Sequence, residues 1–417
     1  MRRGFAMVSV AIVALSGWAV PAAADAGSFD PSFGQGGISV LSELMSGTAV
    51  LDDSGRIVVV GGASPFGEDG DLGVARLLAD GTLDPTFGGD GQIRTDLGRH
   101  ETASGVAIQP DGRIVVAGSR SATHGQEVVL VARYRAGGRL DPTFSHDGVR
   151  LVDVTSEEDV GVEGVTVLEH GQIAVVGSFG WRDGAPTPFV VLLGAAGKVR
   201  RVLVEPSWPS GASYSTVIAW PGGGFIVGGS RAWAPAREGA MLTVRYLADG
   251  SRDPRFSGDG ALALRSVPDG WAFSIARTPR GHIVLAGQVA GPAAVVVRLG
   301  SAGVPDQTFG ENGIAILDPF TYGYDQAFAV AVDDAGRTVV GVRTSTSDTS
   351  IAAVARLTRR GAPDPTFGID GRIEGSLGPE PAIPSTILVV PGGYVVAGTT
   401  GVRSDDPHAV ASRLLAS

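Results

Sequence analysis

The sequence contains no cysteine and only one lysine among its 417 residues. Without cysteine there is no disulfide scaffold, thiolate metal site, iron–sulfur cluster or cysteine nucleophile. A Schiff-base or phosphate-loop lysine is restricted to Lys198, which lies in a glycine-rich turn. The formal net charge is −10. Nucleic-acid-binding proteins carry a basic patch or stripe, so no nucleic-acid partner is expected.

Long hydrophobic runs are missing after residue 26. Before it, the chain has the features of an export signal, namely Arg2 and Arg3, an apolar run from Phe5 to Val20, and small residues up to Ala26. We therefore expect residues 1–26 to be removed, no membrane span afterwards, and a secreted or periplasmic protein. The paired arginines leave open whether the signal is of the general secretory or the twin-arginine type.

Glycine and proline are abundant, with 63 and 25 residues, and they recur in a repeat. The first marker of the repeat is an Asp-Gly turn followed by β-branched residues, as in Pro110–Gly118. The second is the Leu-Asp-Pro-Thr-Phe-Gly segment at residues 83–88. The first marker occurs seven times, about 56 residues apart, at Gly55, Gly112, Gly171, Gly223, Gly281, Gly336 and Gly392.

Each repeat is predicted to form four short antiparallel strands, because alternating apolar segments are separated by Asp-Gly and Gly-Gly turns. Outside residues 1–26 no useful stretch has helical periodicity. Seven such units predict an all-β fold, a seven-bladed β-propeller forming one domain over residues 27–417. The last repeat lacks its own outer strand, whereas an unmatched Asp-Pro-x-Phe segment occurs at residues 29–34. We expect this N-terminal segment to complete the last blade and close the ring.

An arginine and an aspartate recur together in six repeats. The third repeat has lost both and carries Leu192 and Arg200 instead. Joint presence and joint loss indicate a structural cross-strand ion pair, bidentate where geometry allows, with repeated ligand sites as the alternative. The predicted pairs are Arg76–Asp84, Arg133–Asp141, Arg245–Asp253, Arg298–Asp306, Arg356–Asp364 and, through ring closure, Arg413–Asp30.

These two markers resemble the delta 60 repeat of secreted bacterial β-propellers. The resemblance covers residues 28–417 and is weakest in the third repeat, which has Gly194–Lys198 but no Asp-Pro-x-Phe segment. It implies a propeller in an exported bacterial protein. It implies no defined reaction. Whether the third repeat forms a complete blade is left open by the sequence.

Function is expected on the face that carries the second-to-third-strand loops and the blade connectors, because variable loops on a rigid scaffold concentrate binding residues. Aromatic side chains beside carboxylates suit a glycan, peptide or protein ligand. The alternative is that these rings only cover the ends of the sheets. A monomer is expected. The candidate ligand-binding residues are Trp181, Trp208, Trp233, Trp271, Tyr322, Tyr324 and Asp325.

Motifs for metal binding and catalysis are missing. The six histidines have no paired spacing, so no cofactor is expected. Calcium is the alternative at Glu68–Asp71 and at the recurring Asp-Gly turns, although the complete EF-hand pattern is missing. No nucleophile elbow, Ser-x-x-Lys or His-Glu-x-x-His motif occurs. We favour a non-enzymatic binding propeller; the alternative is a hydrolase or lyase with a polar site at the mouth of the channel.

Overall fold

The fold was analysed in a computed structural model. The structure describes residues 26–63, 70–122, 126–155, 159–180, 185–205, 208, 211–231, 239–291, 293–317, 320–346, 349–378, 381–402 and 407–416. Residues 1–25 of the predicted signal segment, Trp181, Trp233 and Glu68–Asp69 lie outside these residues.

The described residues form seven four-stranded antiparallel sheets, which confirms the predicted propeller. The first strand, β1 (Ile38–Leu41), belongs to the last sheet, and the others follow chain order. Blade 1 contains β2–β5 (Thr48–Leu51, Ile57–Ala63, Asp71–Leu77, Gln92–Thr95), and blade 2 contains β6–β9 (Gly105–Ile108, Ile114–Ser121, Glu127–Tyr134, Val149–Val152). Blade 3 contains β10–β13 (Val160–Val167, Ile173–Phe179, Thr187–Leu193, Val199–Val204), and blade 4 contains β14–β17 (Ala212–Ala219, Phe225–Arg231, Ala240–Tyr246, Ala261–Pro268). Blade 5 contains β18–β21 (Trp271–Arg277, Ile283–Gln288, Ala294–Leu299, Ile314–Ile316), blade 6 contains β22–β25 (Tyr324–Val332, Thr338–Ser345, Ser350–Leu357, Arg372–Glu374), and blade 7 contains β26–β28 (Ala382–Val390, Gly393–Thr400, His408–Leu415) with β1.

The two ends of the chain meet in blade 7. Strand β1 pairs antiparallel with β28, with Ile38 opposite Ser412 and Leu41 opposite Ala409. This pairing confirms the predicted closure and covers the outer edge of β28. The Asp-Pro-Ser-Phe segment itself forms the turn before the strand, held by one bridge between Phe29 and Leu414.

The core lies between the blades. Each of seven apolar clusters in the described part of the chain draws its side chains from two neighbouring sheets. The cluster between blades 7 and 1 contains Phe33, Val59 and Ala411, so the closing interface is packed like the other six. Every Asp-Pro-x-Phe segment contributes its phenylalanine, fully buried, to the interface with the next blade. Burial of the valine and isoleucine side chains of the strands between neighbouring sheets is therefore the main stabilising contribution.

The six predicted Arg–Asp pairs are in contact, at N–O distances of 2.8 to 3.3 Å. The pair in blade 6 shows the complete arrangement. The Nε of Arg356 contacts Asp364 at 2.8 Å, one terminal nitrogen donates to Thr366 at 2.8 Å, and the other donates to the backbone carbonyl of Ala416 at 2.7 Å. The guanidinium also lies 4.5 Å from the ring centre of Phe367. The arginine thus joins the turn of its own blade to the next blade.

A second link follows the motif phenylalanine. The next residue adopts a left-handed backbone and donates its N–H to a carbonyl of the following blade. At Gly88 (φ +67°) the acceptor is Gly137, and at Ser145 (φ +52°) it is Ala196. Glycine reaches this conformation without steric cost, which explains the Phe-Gly ending of the motif.

The third repeat forms a complete blade despite its missing motif. Its outer strand, β13, pairs with β12 along most of its length. Leu192, at the arginine position, packs with Leu203 close to Gly250 of blade 4, and Arg201 donates to the backbone carbonyl of Asp249 at 2.8 Å. An apolar contact and one exposed hydrogen bond therefore replace the buried ion pair at this interface.

Among the described residues, no helix has the length and apolar character needed to cross a membrane.

Candidate functional site

A cavity of about 680 Å³ lies on the propeller axis and is lined by residues of all seven blades. In blades 1 and 2 the lining lies at the start of the inner strand, and in blades 3 to 7 it lies mainly in the middle of that strand. Trp271, the first residue of its inner strand, lies at the end of the cavity toward the blade connectors and the long loops. The size of the cavity is typical of a site for a small molecule or a single side chain of a larger partner.

One position of the repeat supplies a ring of side chains around this cavity. In blades 3 to 7 the inner strand contains a β-bulge, and the residue left out of the pairing lines the cavity. In blades 1 and 2 the equivalent residue directly precedes the inner strand. Bulges redirect a side chain and are frequent beside functional sites. The ring consists of Gly47, Ser104, Glu163, Ser215, Phe273, Phe328 and Ser385.

The ring has two chemically different sectors. Blades 2 to 4 present Ser104, Glu163 and Ser215, whereas blades 5 and 6 present Phe273 and Phe328. The two phenyl rings are stacked, with centroids 4.8 Å apart and planes inclined by 21°. We call Ser104, Glu163 and Ser215 the polar sector, and Phe273 and Phe328 the aromatic sector.

Glu163 is the one charged residue that lines the cavity among those described. Its side chain is exposed to the cavity and, within the described part of the chain, makes no hydrogen bond or ion pair. Protein surrounds it, and the resulting desolvation raises the pKa of its carboxyl to about 7. Elsewhere in the structure the buried carboxylates of the repeat are paired with arginine. Among the described residues, Glu163 therefore has no structural counter-charge.

The deeper wall of the cavity is aliphatic. Two positions after the ring, the inner strands present mainly valine and isoleucine, such as Val165, Ile275 and Ile387. Between the two layers, the hydroxyls of Thr48 and Thr386 lie 3.1 Å apart and join blades 1 and 7. The polar groups of the lining thus lie in the ring and at the positions directly after it, such as Thr48, Thr216 and Thr386.

Of the candidate residues predicted from the sequence, Trp271 lines the cavity. The residue is 36% exposed, and its ring centroid lies 6.2 Å from that of Phe273, so it extends the aromatic sector toward the loops. Tyr324 is exposed, at 46%, at the start of the neighbouring inner strand. Trp181 and Trp233 lie outside the described residues.

The other candidates have structural surroundings. The ring of Trp208 lies between two guanidinium groups, 4.9 Å from Arg231 and 5.0 Å from Arg252. Asp325 is 1% exposed, and its carboxylate accepts the backbone N–H of Phe320 at 3.0 Å. The half-buried Tyr322 is held by a hydrogen bond from its backbone N–H to Thr344. None of these three described residues lines the axial cavity.

A group of three carboxylates lies beside blades 1 and 2. Ligand atoms of Asp71, Asp96 and Glu101 lie within 4.8 Å of one another. Asp71 contacts Arg94, and Glu101 contacts Arg120 at 3.1 Å, so arginines balance much of this charge. Burial raises the pKa of the Glu101 carboxyl, a further indication of a packed structural group.

The sequence did not single out Glu163, Phe273 or Phe328. Each lies in an inner strand that reads as apolar or connector sequence, and a bulge cannot be located without the strand register. The sequence signal that could have identified these residues is their shared position in the repeat. When the first six repeats are aligned on their turn glycines, the column eight residues earlier holds glycine, serine and phenylalanine, and a single charged residue.

Two comparisons found similar proteins. The sequence model of a β-propeller family described as a domain of unknown function, DUF5122, matches residues 53–87 and 109–144. Both segments run from the Asp-Gly turn region to the motif phenylalanine of neighbouring repeats. Among curated protein sequences, none matches this chain significantly.

Among solved structures, a polysaccharide lyase, Uly1, aligns with a TM-score of 0.52 at 10% identity, covering 89% of this chain and 90% of that one. YCF48 bound to D1 peptide aligns at 0.49 and 9% identity, covering 95% of this chain and 100% of that chain. A PL25 ulvan lyase aligns at 0.49 and 12% identity, covering 94% of each. At sequence identities this low, the alignments are evidence for a similar fold alone. The sheet topology shows that the chain is a β-propeller, and the family model and the alignment with Uly1 agree with that fold.

Proposed function

We propose that the protein is an exported, non-enzymatic binding propeller that takes a glycan, peptide or protein ligand at the long-loop end of its axial channel. The observation that carries this proposal is the bulge ring, where an uncompensated carboxylate and a stacked aromatic pair replace the small residues of other blades. A ring that served only to close the fold would have no need of Glu163, which has no partner among the described residues.

The binding proposal predicts that Trp271 contributes to ligand retention. Glycan and peptide arrays are probed with the wild-type protein, the Trp271→Ala variant and the Trp208→Ala variant. Loss of the Trp271 ring, exposed at the cavity, should weaken retention at least tenfold, because aromatic anchors dominate such sites. Trp208 is matched in residue type but lies between two arginines, so its loss should lower stability and leave retention intact. Retention that depends on Trp208 and not on Trp271 would contradict this location of the site.

A hydrolase or lyase is the second candidate, and one observation favours it. A carboxyl whose pKa lies near 7 suits general acid–base chemistry, and burial gives Glu163 such a value. Against it, the described lining contains no second carboxylate and no histidine, whereas most glycosidases use a carboxylate pair. Any ligand retained on the arrays is therefore incubated with wild-type protein and Glu163→Gln. Product formation that disappears with Glu163→Gln would establish the enzyme instead.

The proposal also includes export of the protein through a cleaved signal. The composition of residues 1–26 supports removal of an export signal, and N-terminal sequencing of the chain from the medium or periplasm should begin between residues 25 and 27. An intact Met1 in that fraction would contradict cleavage.

The linked Asp-Gly and Asp-Pro-x-Phe markers support assignment of the repeats to the delta 60 type. The structure gives both markers a common physical role, since Arg113 of the first contacts Asp141 of the second at 2.8 Å.

A further inference from the structure

We propose that the ring around the axial cavity recognises an organic cation, a protonated amine carried on an apolar or aromatic body, with Glu163 contacting the ammonium group and the aromatic sector covering the body. The proposal rests on the proposed function and names the class of ligand that the cavity takes.

The charge of the cavity selects against anions. Glu163 supplies the one formal charge on the lining among the described residues, and no described lysine, arginine or histidine lines the cavity to balance it. The whole chain has a net charge of −10, so the long-range field also favours cations. An ammonium group placed against Glu163 would supply the counter-charge that no described residue provides.

The opposite wall suits the remainder of such a ligand. Blades 3 and 6 are separated by two blades on one side of the ring and three on the other, so Glu163 and Phe328 lie across the axis from each other. Phe273 stacks on Phe328, and Trp271 continues the surface toward the loops. Aromatic faces attract cations and also pack against apolar groups. A ligand that spans the cavity can therefore use both walls at once.

The serines of the ring provide the remaining hydrogen-bonding capacity. An ammonium group has three donors, and a single carboxylate leaves at least one of them unused. The hydroxyl oxygens of Ser104 and Ser215, on the blades that flank Glu163, are available as acceptors. Neutral hydroxyl ligands could also use these serines, but they would leave the Glu163 charge uncompensated.

Binding of a cation at this position should depend on pH. Among the described lining residues, only Glu163 and Tyr214 are titratable, and the Tyr214 hydroxyl is buried 2.6 Å from that of Tyr246, with its pKa raised by burial. The change between pH 6 and pH 8 therefore belongs to Glu163. With a carboxyl pKa of about 7, Glu163 is mostly ionised at pH 8 and mostly protonated at pH 6, so affinity should fall toward the acid side.

The test compares three probes of one shape, phenethylammonium, 2-phenylethanol and 3-phenylpropionate, by calorimetric and ligand-observed NMR titration at pH 8 and pH 6. At pH 8 the ammonium probe should bind about tenfold more tightly than the alcohol, and the carboxylate should bind least. The Glu163→Gln variant should abolish the preference for the ammonium probe and its pH dependence. Glu311→Gln, an equal charge change at an exposed residue outside the cavity, should leave both unchanged.

The aromatic wall is tested with Phe328→Leu, which keeps an apolar side chain but removes the stacked ring. It should weaken binding of all three probes, and thermal unfolding of each variant reports whether the fold is intact. Equal binding of alcohol and ammonium probes, or an unchanged preference in Glu163→Gln, would overturn the cation proposal. If array retention were nevertheless lost in Trp271→Ala, the proposed binding function would still be supported, with a neutral ligand. If both the titrations and the array experiment failed, the cation proposal and the proposed function would both be wrong.

Discussion

At the scale of single residues, a fully buried charge explains the Asp-Pro-Thr-Phe motif. Arg356 is fully buried, and its partner Asp364 is 6% exposed. Desolvation opposes ionisation of Asp364, but hydrogen bonds from Thr366 and the charge of Arg356 lower the pKa of its carboxyl below 3.8 overall. The motif threonine bridges both groups, and the phenylalanine covers the guanidinium. The aspartate, threonine and phenylalanine of the motif thus all contact the buried arginine.

Removing one member of this pair should lower the free energy of unfolding substantially. The Arg356→Leu variant leaves Asp364 buried without its counter-charge, and we expect a loss of about 3 kcal/mol in the free energy of unfolding. The comparison is the double variant Arg356→Leu/Asp364→Asn, which should recover part of the loss, as the natural Leu192 in blade 3 shows that leucine fits this position. Denaturant unfolding at pH 7 measures both.

The pH dependence of this effect has a defined sign. Because the folded pKa of Asp364 is below its ordinary value of 3.8, the pair stabilises the fold above that pH and loses its contribution as the pH falls below it. The difference between wild type and Arg356→Leu should therefore shrink below pH 3.8, where the carboxyl becomes protonated. Equal unfolding free energies at pH 7 would show that the pair contributes no net stability.

At the scale of strands and blades, the sequence predicts what repeats and fails to predict what depends on register. The Asp-Gly turns, the number of blades and the completion of blade 7 follow from spacing along the chain. The β-bulge that frees Glu163 from pairing lies between Val162 and Gly164, and no local residue pattern marks it. Trp271 was predicted because tryptophan is conspicuous in a loop, whereas Phe328 resembles any core residue of a strand. Functional residues placed by pairing irregularities need coordinates to be recognised.

Blade 3 shows how an element tolerates the loss of its motif. Its outer strand still forms because β12 can pair along the edge that β11 leaves open, and burial of Leu192 beneath the next blade replaces the ion pair. The same blade carries Glu163 on its inner strand. The motif therefore stabilises the contact between neighbouring blades near the outer strand. The residues of the inner strand can vary independently of it. This separation lets the ring change its chemistry without loss of the propeller.

At the scale of the whole molecule, ring closure determines whether the axial cavity exists at all. The cavity is lined by seven inner strands, and they surround one axis only if blade 7 packs against blade 1. Closure rests on the pairing of β1 with β28 and on the ion pair between Arg413 and Asp30, at 3.3 Å. The absence of cysteine from the chain provides a clean way to measure that pairing, because any introduced pair contains the only thiols.

The variant Val40→Cys/Val410→Cys places two thiols on residues that face each other in the β1–β28 pair. Directly opposed antiparallel residues have the Cα separation that a disulfide requires. Oxidation should therefore circularise most of the chain, increase its mobility on a non-reducing gel and raise stability by up to about 5 kcal/mol, since the closed loop is long. The control Val40→Cys/Ser412→Cys is displaced by two residues, roughly 7 Å along the strand, and should stay reduced. Cross-linking of the control but not of the matched pair would show a different register, and no cross-link in either would show that the ends do not meet, so that the ring and its cavity would both be wrong.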